Sequence, residues 1–225
     1  MDIRERLNQI KSELPTTVTL IAVSKFHPEA DIEDAYAAGQ RIFGENIVQE
    51  LRRKYENLPK DIQWHYIGHL QRNKIKYIVP FVSMIHAVDS FELLSDINQH
   101  AQKIGRVIPC LLQIHVAKEE TKFGFNFEEC RQMLKEEKWK ELENVRIDGL
   151  MCMASNVLDQ AQIHQEFHSV WNFFNEIKQQ YFEKDEHFCQ RSWGMSSDYT
   201  IAAQEGSTMV RVGTKIFGNR SQKTE

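Results

Sequence analysis

The chain has 225 residues, 41% hydrophobic and 27% charged, with a formal net charge of −4. This usage excludes disordered and fibrous classes, and the length suits one α/β barrel around one large core. With no block of clustered Lys and Arg, the chain lacks the phosphate-neutralising surface of a dedicated nucleic-acid binder, so a small-molecule ligand is expected.

The opening stretch MDIRERLNQIKSELP has the pattern of an amphipathic helix over about residues 1–13, with charges of both signs and no signal-peptide core. No run reaches the roughly 18 apolar residues of a membrane span. A cytoplasmic protein without membrane or nucleic-acid partners is therefore expected. Short β-rich runs then alternate with helical patterns. Strands are predicted over 17–25, 41–46, 63–68, 83–89, 108–117, 145–154, 189–195 and 208–217. Helical patterns include 28–39, 46–57, 90–105, 126–139 and 159–182. Helices following strands imply parallel pairing through crossovers, and eight such units predict a single-domain (β/α)8 TIM barrel over residues 1–225. A doubly wound nucleotide fold is the alternative, but no G-x-G-x-x-G follows the first strand. Gly39 and Gly105 are natural C-caps, and Asp89 or Ser90 and Ser197 or Asp198 natural N-caps. Cys110, Cys130, Cys152 and Cys189 show no C-x-x-C spacing and read as reduced thiols.

A barrel of this type gathers its functional residues at the C-terminal strand ends. There the sequence places Ser24-Lys25, Gly44-Glu45-Asn46, His65 with Gly68-His69, Asp89, WGMSSD (193–198), and Arg211 with Gly213-Thr214. Barrels often hold phosphate between the last two strand loops at a helix N-terminus. Ser196 and Ser197 precede the helical pattern DYTIAAQEG, and Gly213 lets backbone approach closely beside the Thr214 hydroxyl. Ordinary capping accounts for two serines alone; their pairing with Gly213-Thr214 favours phosphate. Arg211, inside MVRVG, needs a hydrogen-bonded partner on either face, and a structural salt bridge serves as well as a ligand. Lys25 ends the run TLIAVSK. A strand-end lysine commonly extends its stem to water, whereas an amine among apolar walls loses proton affinity and can condense with an aldehyde. A lysine, a phosphate site and a buried arginine together suggest pyridoxal 5′-phosphate (PLP), with the arginine facing the pyridine nitrogen. His164 and His168 flank Glu166 without H-E-x-x-H or an evident third ligand, and read as a solvated helix face rather than a metal site. His65 and His69 read as hydrogen-bonded structural residues, and Cys152 as a small core residue.

The segments LIAVSK, AGQRIFGENIVQE, QWHYIGHLQRNK, TKFGF, IDGLM and WGMSSDYTIAAQEGSTMVRVGTKIFG, in this order, resemble the PLP homeostasis proteins, the YggS/PROSC family. The resemblance spans nearly the whole chain. It implies a single-domain PLP-binding barrel similar to the N-terminal domain of alanine racemase, without the second β domain of that enzyme. Lys25 matches the family's Schiff-base lysine and Asn46 the asparagine near the cofactor. Ser196, Gly213 and Thr214 match the phosphate-binding positions, with Met195 beside them, and Arg211 matches the arginine near the pyridine nitrogen. His65 lies in the matching W-H-x-I-G strand and is counted with these as a cofactor-binding residue implied by the resemblance. The sixth-strand end MCMAS departs from the family's usual forms. A role in intracellular PLP homeostasis is implied, with PLP and PLP-dependent apoenzymes as partners and a monomeric chain. A small racemase-like PLP enzyme is the alternative, and a plain structural barrel a third class. Efficient racemisation is not expected, because the opposite base of the racemases comes with a second domain and a partner subunit, while this chain ends at SQKTE just after the eighth strand.

Overall fold

The computed structural model describes residues 1–117 and 123–218. Thr121 and Lys122 of the TKFGF motif and the SQKTE terminus lie outside the described residues. The chain opens with α1 (Ile3–Glu13), started by a capping box in which Asp2 and Glu5 each accept the other's backbone N–H. The strands are β1 (Thr19–Val23), β2 (Ile42–Glu45), β3 (Gln63–Tyr66), β4 (Met84–Val88), β5 (Ile108–Ile114), β6 (Val145–Cys152), β7 (Gln190–Ser192) and β8 (Met209–Val212). Between them run α2 (Glu29–Ala37), α3 (Val48–Asn57), α4 (Phe91–Gln102), α5 (Phe127–Lys135), α6 (Gln160–Tyr181) and α7 (Tyr199–Gln204), followed by α8 (Thr214–Phe217). Only a 3-10 turn, Arg72–Tyr77, crosses from β3 to β4. The strands pair in parallel in sequence order, and β1 pairs with β8 to close a barrel. The expected (β/α)8 architecture is therefore the one adopted.

Each strand is shorter than its apolar run. The largest difference is in the last: residues 208–217 do not continue as one strand, because the chain turns at Gly213. The Gly213 carbonyl accepts the N–H groups of Ile216 (2.8 Å) and Phe217 (3.0 Å), starting α8. This turn buries Ile216 and Phe217 in the main core, where a continued strand would carry them away from it. Gly213 thus stands past the strand it was expected to share with Arg211.

Alternation along the strands decides what reaches the site. Leu20 and Ala22 of β1 pack outward into the core beneath the helices, while Ile21 joins Met84, Leu111, Met151 and Met209 in the barrel lumen. The inward parity of Ile21 continues through Val23 to Lys25, and that of Met209 through Arg211 to Gly213. On β2 the same parity aims Asn46 at the mouth and turns Glu45 outward toward α3. Glu45, read from sequence as part of the polar rim, is instead fully buried behind the barrel wall.

Candidate functional site

A cavity of about 440 Å³ opens at the C-terminal ends of the strands. Lys25, Asn46, Met195, Ser196, Arg211, Gly213 and Thr214 line it, so most of the expected site residues meet at one place. His65 does not line it.

Lys25 sits in a turn closed by the His27 N–H donating to the Ser24 carbonyl at 3.1 Å. Phe26, the third residue of that turn, has φ of +67°. Turns of this kind normally place glycine there, and an aromatic residue with positive φ costs on the order of 1–3 kcal/mol. The turn that presents Lys25 is therefore a strained one. Beside β1's end, Asn46 closes over Gly68: a Cβ at Gly68 would lie 2.6 Å from Asn46 Cβ and 2.7 Å from its carbonyl oxygen. Only glycine lets the two backbones approach so closely. The Asn46 Oδ1 atom is buried with no hydrogen-bond partner among the described residues. Such an orphaned acceptor on a cavity wall suits a ligand donor or a water.

The loop after β7 and the turn after β8 line the cavity on β1's other flank. The Ser196 hydroxyl accepts the Gly213 N–H at 3.2 Å and the Thr214 hydroxyl at 3.3 Å. With both lone pairs engaged, the Ser196 proton is left to be donated elsewhere. Asp198, expected as a helix cap, occupies the N-cap of α7 but aims its carboxylate back at the Met195 N–H (2.5 Å), which braces the loop carrying Ser196. A Cβ at Gly213 would approach the Val23 carbonyl oxygen to 3.0 Å, so glycine keeps the β8 turn close against β1.

Arg211 lines the cavity from β8. Its Nη1 donates to the Ser192 carbonyl (2.7 Å) and hydroxyl (2.6 Å), and its Nη2 to the Cys152 carbonyl (2.8 Å). These acceptors are neutral, so the salt bridge that the sequence left open is not how Arg211 is held. Burial lowers its affinity for its proton, and a cation in that condition favours a ligand lone pair or anion beside it. Cys152 supports Arg211 through its carbonyl while its side chain packs in the outer core.

His65 faces the lumen, between Trp64 and Tyr66, which face the outer core. Its Nδ1 lies 2.9 Å from His86 Nε2, and His86 Nδ1 lies 2.9 Å from the Ser192 hydroxyl. His65 is thus the far end of a buried polar chain reaching Arg211 through His86 and Ser192, a hydrogen-bonded position off the cavity lining. The apolar lumen surrounding it is what the motif W-H-x-I-G alone does not reveal. Burial pushes His65 down to about 4 and His86 well below its ordinary value, so both rings are neutral. Between pH 6.5 and 4 the unfolded chain binds protons on these histidines that the folded chain refuses, so stability falls as pH falls. Glu45 opposes them: burial raises it to about 7, and the stability held by its protonated form is lost as pH rises from about 4.5 to 7. Two histidines outweigh one carboxyl. The thermal midpoint is expected to drop on acidification from pH 6.5 toward 4, with His65 alone contributing about 3 kcal/mol. His65→Gln should flatten the profile, and a midpoint that rises toward pH 4 would contradict the neutral pair.

Sequence reading did not place His27, Gln113 or Met153 on the cavity and put His69 on the rim without a role in ligand binding, although all four line it. His69 bonds Asp89 (Nδ1 to Oδ2, 2.9 Å) and stacks on Phe123 at 3.9 Å between ring centroids. The signal for His69 was its place just after a strand-end glycine, where it was read as structural. His164 and His168 both direct Nδ1 to Glu205, at 2.9 and 3.0 Å.

A closed parallel barrel with this lysine, arginine and hydroxyl arrangement at its mouth is of the alanine racemase N-terminal domain type, and residues 2–221 match the family so described. The pyridoxal phosphate homeostasis protein of Aquifex aeolicus is 36% identical over 202 residues, covering 89% of this chain and 86% of its own. That of Synechocystis sp. is 36% identical over 215 residues, 95% of this chain and 96% of its own. PipY of Synechococcus elongatus, solved without PLP, superposes with a TM-score of 0.90 at 40% identity, covering 96% of this chain and 100% of that one. The PipY structure with PLP bound superposes over the same shares with a TM-score of 0.87. The chain belongs to the pyridoxal phosphate homeostasis protein family. No helix among the described residues is long and apolar enough to cross a membrane.

Proposed function

We propose that this protein binds PLP reversibly and serves intracellular PLP homeostasis, as a monomeric carrier whose recipients are PLP-dependent apoenzymes. The observation that carries this reading is one cavity lined together by Lys25, the Ser196-Gly213-Thr214 cradle and the buried Arg211 guanidinium. The PLP-bound PipY, 40% identical to this chain, supports it. When bound, PLP supplies an aldehyde that a lysine amine captures as a C=N link with loss of water. Lys25 would make that link, the Ser196 and Thr214 hydroxyls would hold the phosphate, and Arg211 would face the pyridine nitrogen. A guanidinium gives up no proton near neutral pH, so beside the ring nitrogen it disfavours protonation there and weakens the ring as an electron sink. Absorbance spectra before and after borohydride, with the labelled peptide mapped, test the binding.

The same residues support a carrier without efficient turnover. Racemisation needs acid–base groups on both faces of the substrate carbon, and His65, the candidate weighed from sequence, is enclosed in the lumen. His69 on the cavity wall favours a second reading, slow proton exchange on bound amino acids. Incubating the PLP-loaded protein with alanine or serine in deuterated water is expected to show no exchange at ordinary enzyme rates. Turnover of roughly 1 per second or faster, absent in Lys25→Ala, would make the protein an enzyme.

A further inference from the structure

Lys54 of α3 is wholly buried between that helix and the outer face of the barrel. Its Nζ donates to the Ser24 carbonyl, to Glu45 Oε1 and to Glu50 Oε1, each at 2.7 Å. Glu45 Oε1 also accepts the Ser24 hydroxyl at 2.6 Å, and Glu50 Oε1 accepts the Phe26 N–H at 2.7 Å. Charges removed from water are expensive, and well-packed apolar residues commonly stabilise such a place as well or better. Stability therefore gives no reason for three ionisable groups here. Their contacts do. The peptide group before Lys25 is gripped by its carbonyl, from Lys54, and the peptide group after it by its N–H, from Glu50. Between those two grips sits Lys25, and the second of them holds the N–H of Phe26, whose φ of +67° lies in the left-handed region, where a bulky residue remains only if its surroundings over-determine it.

We infer that Lys54 and Glu50 are positioning residues: they force the strained turn at Phe26 and so aim the Lys25 amine into the cavity, controlling how readily it attaches to an aldehyde. This rests on Lys25 being the attachment residue. Released from either grip, Phe26 relaxes to negative φ, rotating the peptide plane between Lys25 and Phe26 and turning the amine from its line of approach. The cradle for the phosphate, held together by its own Ser196, Gly213 and Thr214 bonds and bonded to neither Lys54 nor Glu50, is unaffected.

Because the inference concerns turn strain, it makes a distinctive demand. Glycine adopts positive φ without cost, so Phe26→Gly should repair the damage done by losing a grip. Lys54→Met and Glu50→Ala are made with and without Phe26→Gly in the full chain, alongside the unmutated protein. Three quantities are measured: attachment of PLP to Lys25 by absorbance and by mapped borohydride label, affinity for pyridoxine 5′-phosphate, and the thermal midpoint. Pyridoxine 5′-phosphate carries an alcohol in place of the aldehyde and cannot link to lysine. Attachment is expected to weaken about 10-fold or more in each single variant, the scale set by one such strained residue. Affinity for the alcohol should hold, and Phe26→Gly should restore most of the attachment. Native-like attachment in the folded single variants would overturn the inference. So would an equal loss of affinity for the alcohol, which signals collapse of the whole cavity, or a loss that Phe26→Gly leaves unrepaired. Should Lys54→Met fail to fold, Glu50→Ala, at a partly exposed residue, decides the matter alone. Failure of the unmutated chain to attach PLP at Lys25 would instead refute the function proposed above.

Discussion

Lys25→Ala is expected to abolish borohydride-fixed PLP on this chain and the absorbance band of the linked form, while leaving a weaker, unlinked complex. Among the described residues Lys25 is the lysine on the cavity wall, and a C=N link needs a primary amine within bonding reach of the aldehyde. The truncation leaves the cradle of Ser196, Gly213 and Thr214 intact, as well as Arg211 with its three acceptors. Lys25 is also partly exposed, in a turn held by other residues' side chains, so the thermal midpoint should change little. The label is therefore lost without loss of the fold. Borohydride label mapped to a different lysine of the native protein would show that the attachment point was misassigned.

The second large effect concerns the phosphate. Ser196→Ala with Thr214→Val is expected to weaken PLP binding roughly 10²-fold. A hydrogen bond to a charged group contributes about 1.5–3 kcal/mol, and two independent ones would give roughly 10²- to 10⁴-fold. The lower end applies, because Ser196 and Thr214 are bonded to each other at 3.3 Å and neighbouring losses do not simply add. Pyridoxal, which lacks the phosphate, separates this from general damage: it should bind the double variant and the native chain alike, through Lys25. A double variant that keeps its PLP affinity would move the phosphate elsewhere in the cavity, and one that loses pyridoxal as well would show that the two hydroxyls support the wall rather than an anion.

The Lys25 and Ser196 sides of the site also differ in how readable they were. The first rests on one residue at the end of a five-residue apolar strand, and its parity with Ile21 and Val23 is already present in TLIAVSK. The second rests on a pairing between a loop and a turn 17 residues apart, readable from sequence as two polar clusters, but without the direction of the Ser196–Gly213 bond. That direction depends on β8 ending at Val212, which the apolar run TMVRVGTKIF conceals: its second half is apolar because it packs as a helix, not because it continues the strand.

By itself the sequence determined the closed eight-unit barrel and placed Lys25, Asn46, Arg211, Gly213 and Thr214 at the strand ends, where they line one cavity. These follow from period-two alternation, turn residues and the order of the units, all of which act over a few neighbours. Only the tertiary structure decided that His65 pairs with His86 in the lumen, that Arg211 is held by neutral oxygens of Ser192 and Cys152, and that Lys54 and Glu50 grip the backbone on either side of Lys25. The physical reason is the same in each case. Alternation says which face of an element is apolar, whereas the partner of a buried polar group is chosen by barrel closure and strand register, which bring together residues as distant as His86 and Ser192 and leave them no water to bond instead.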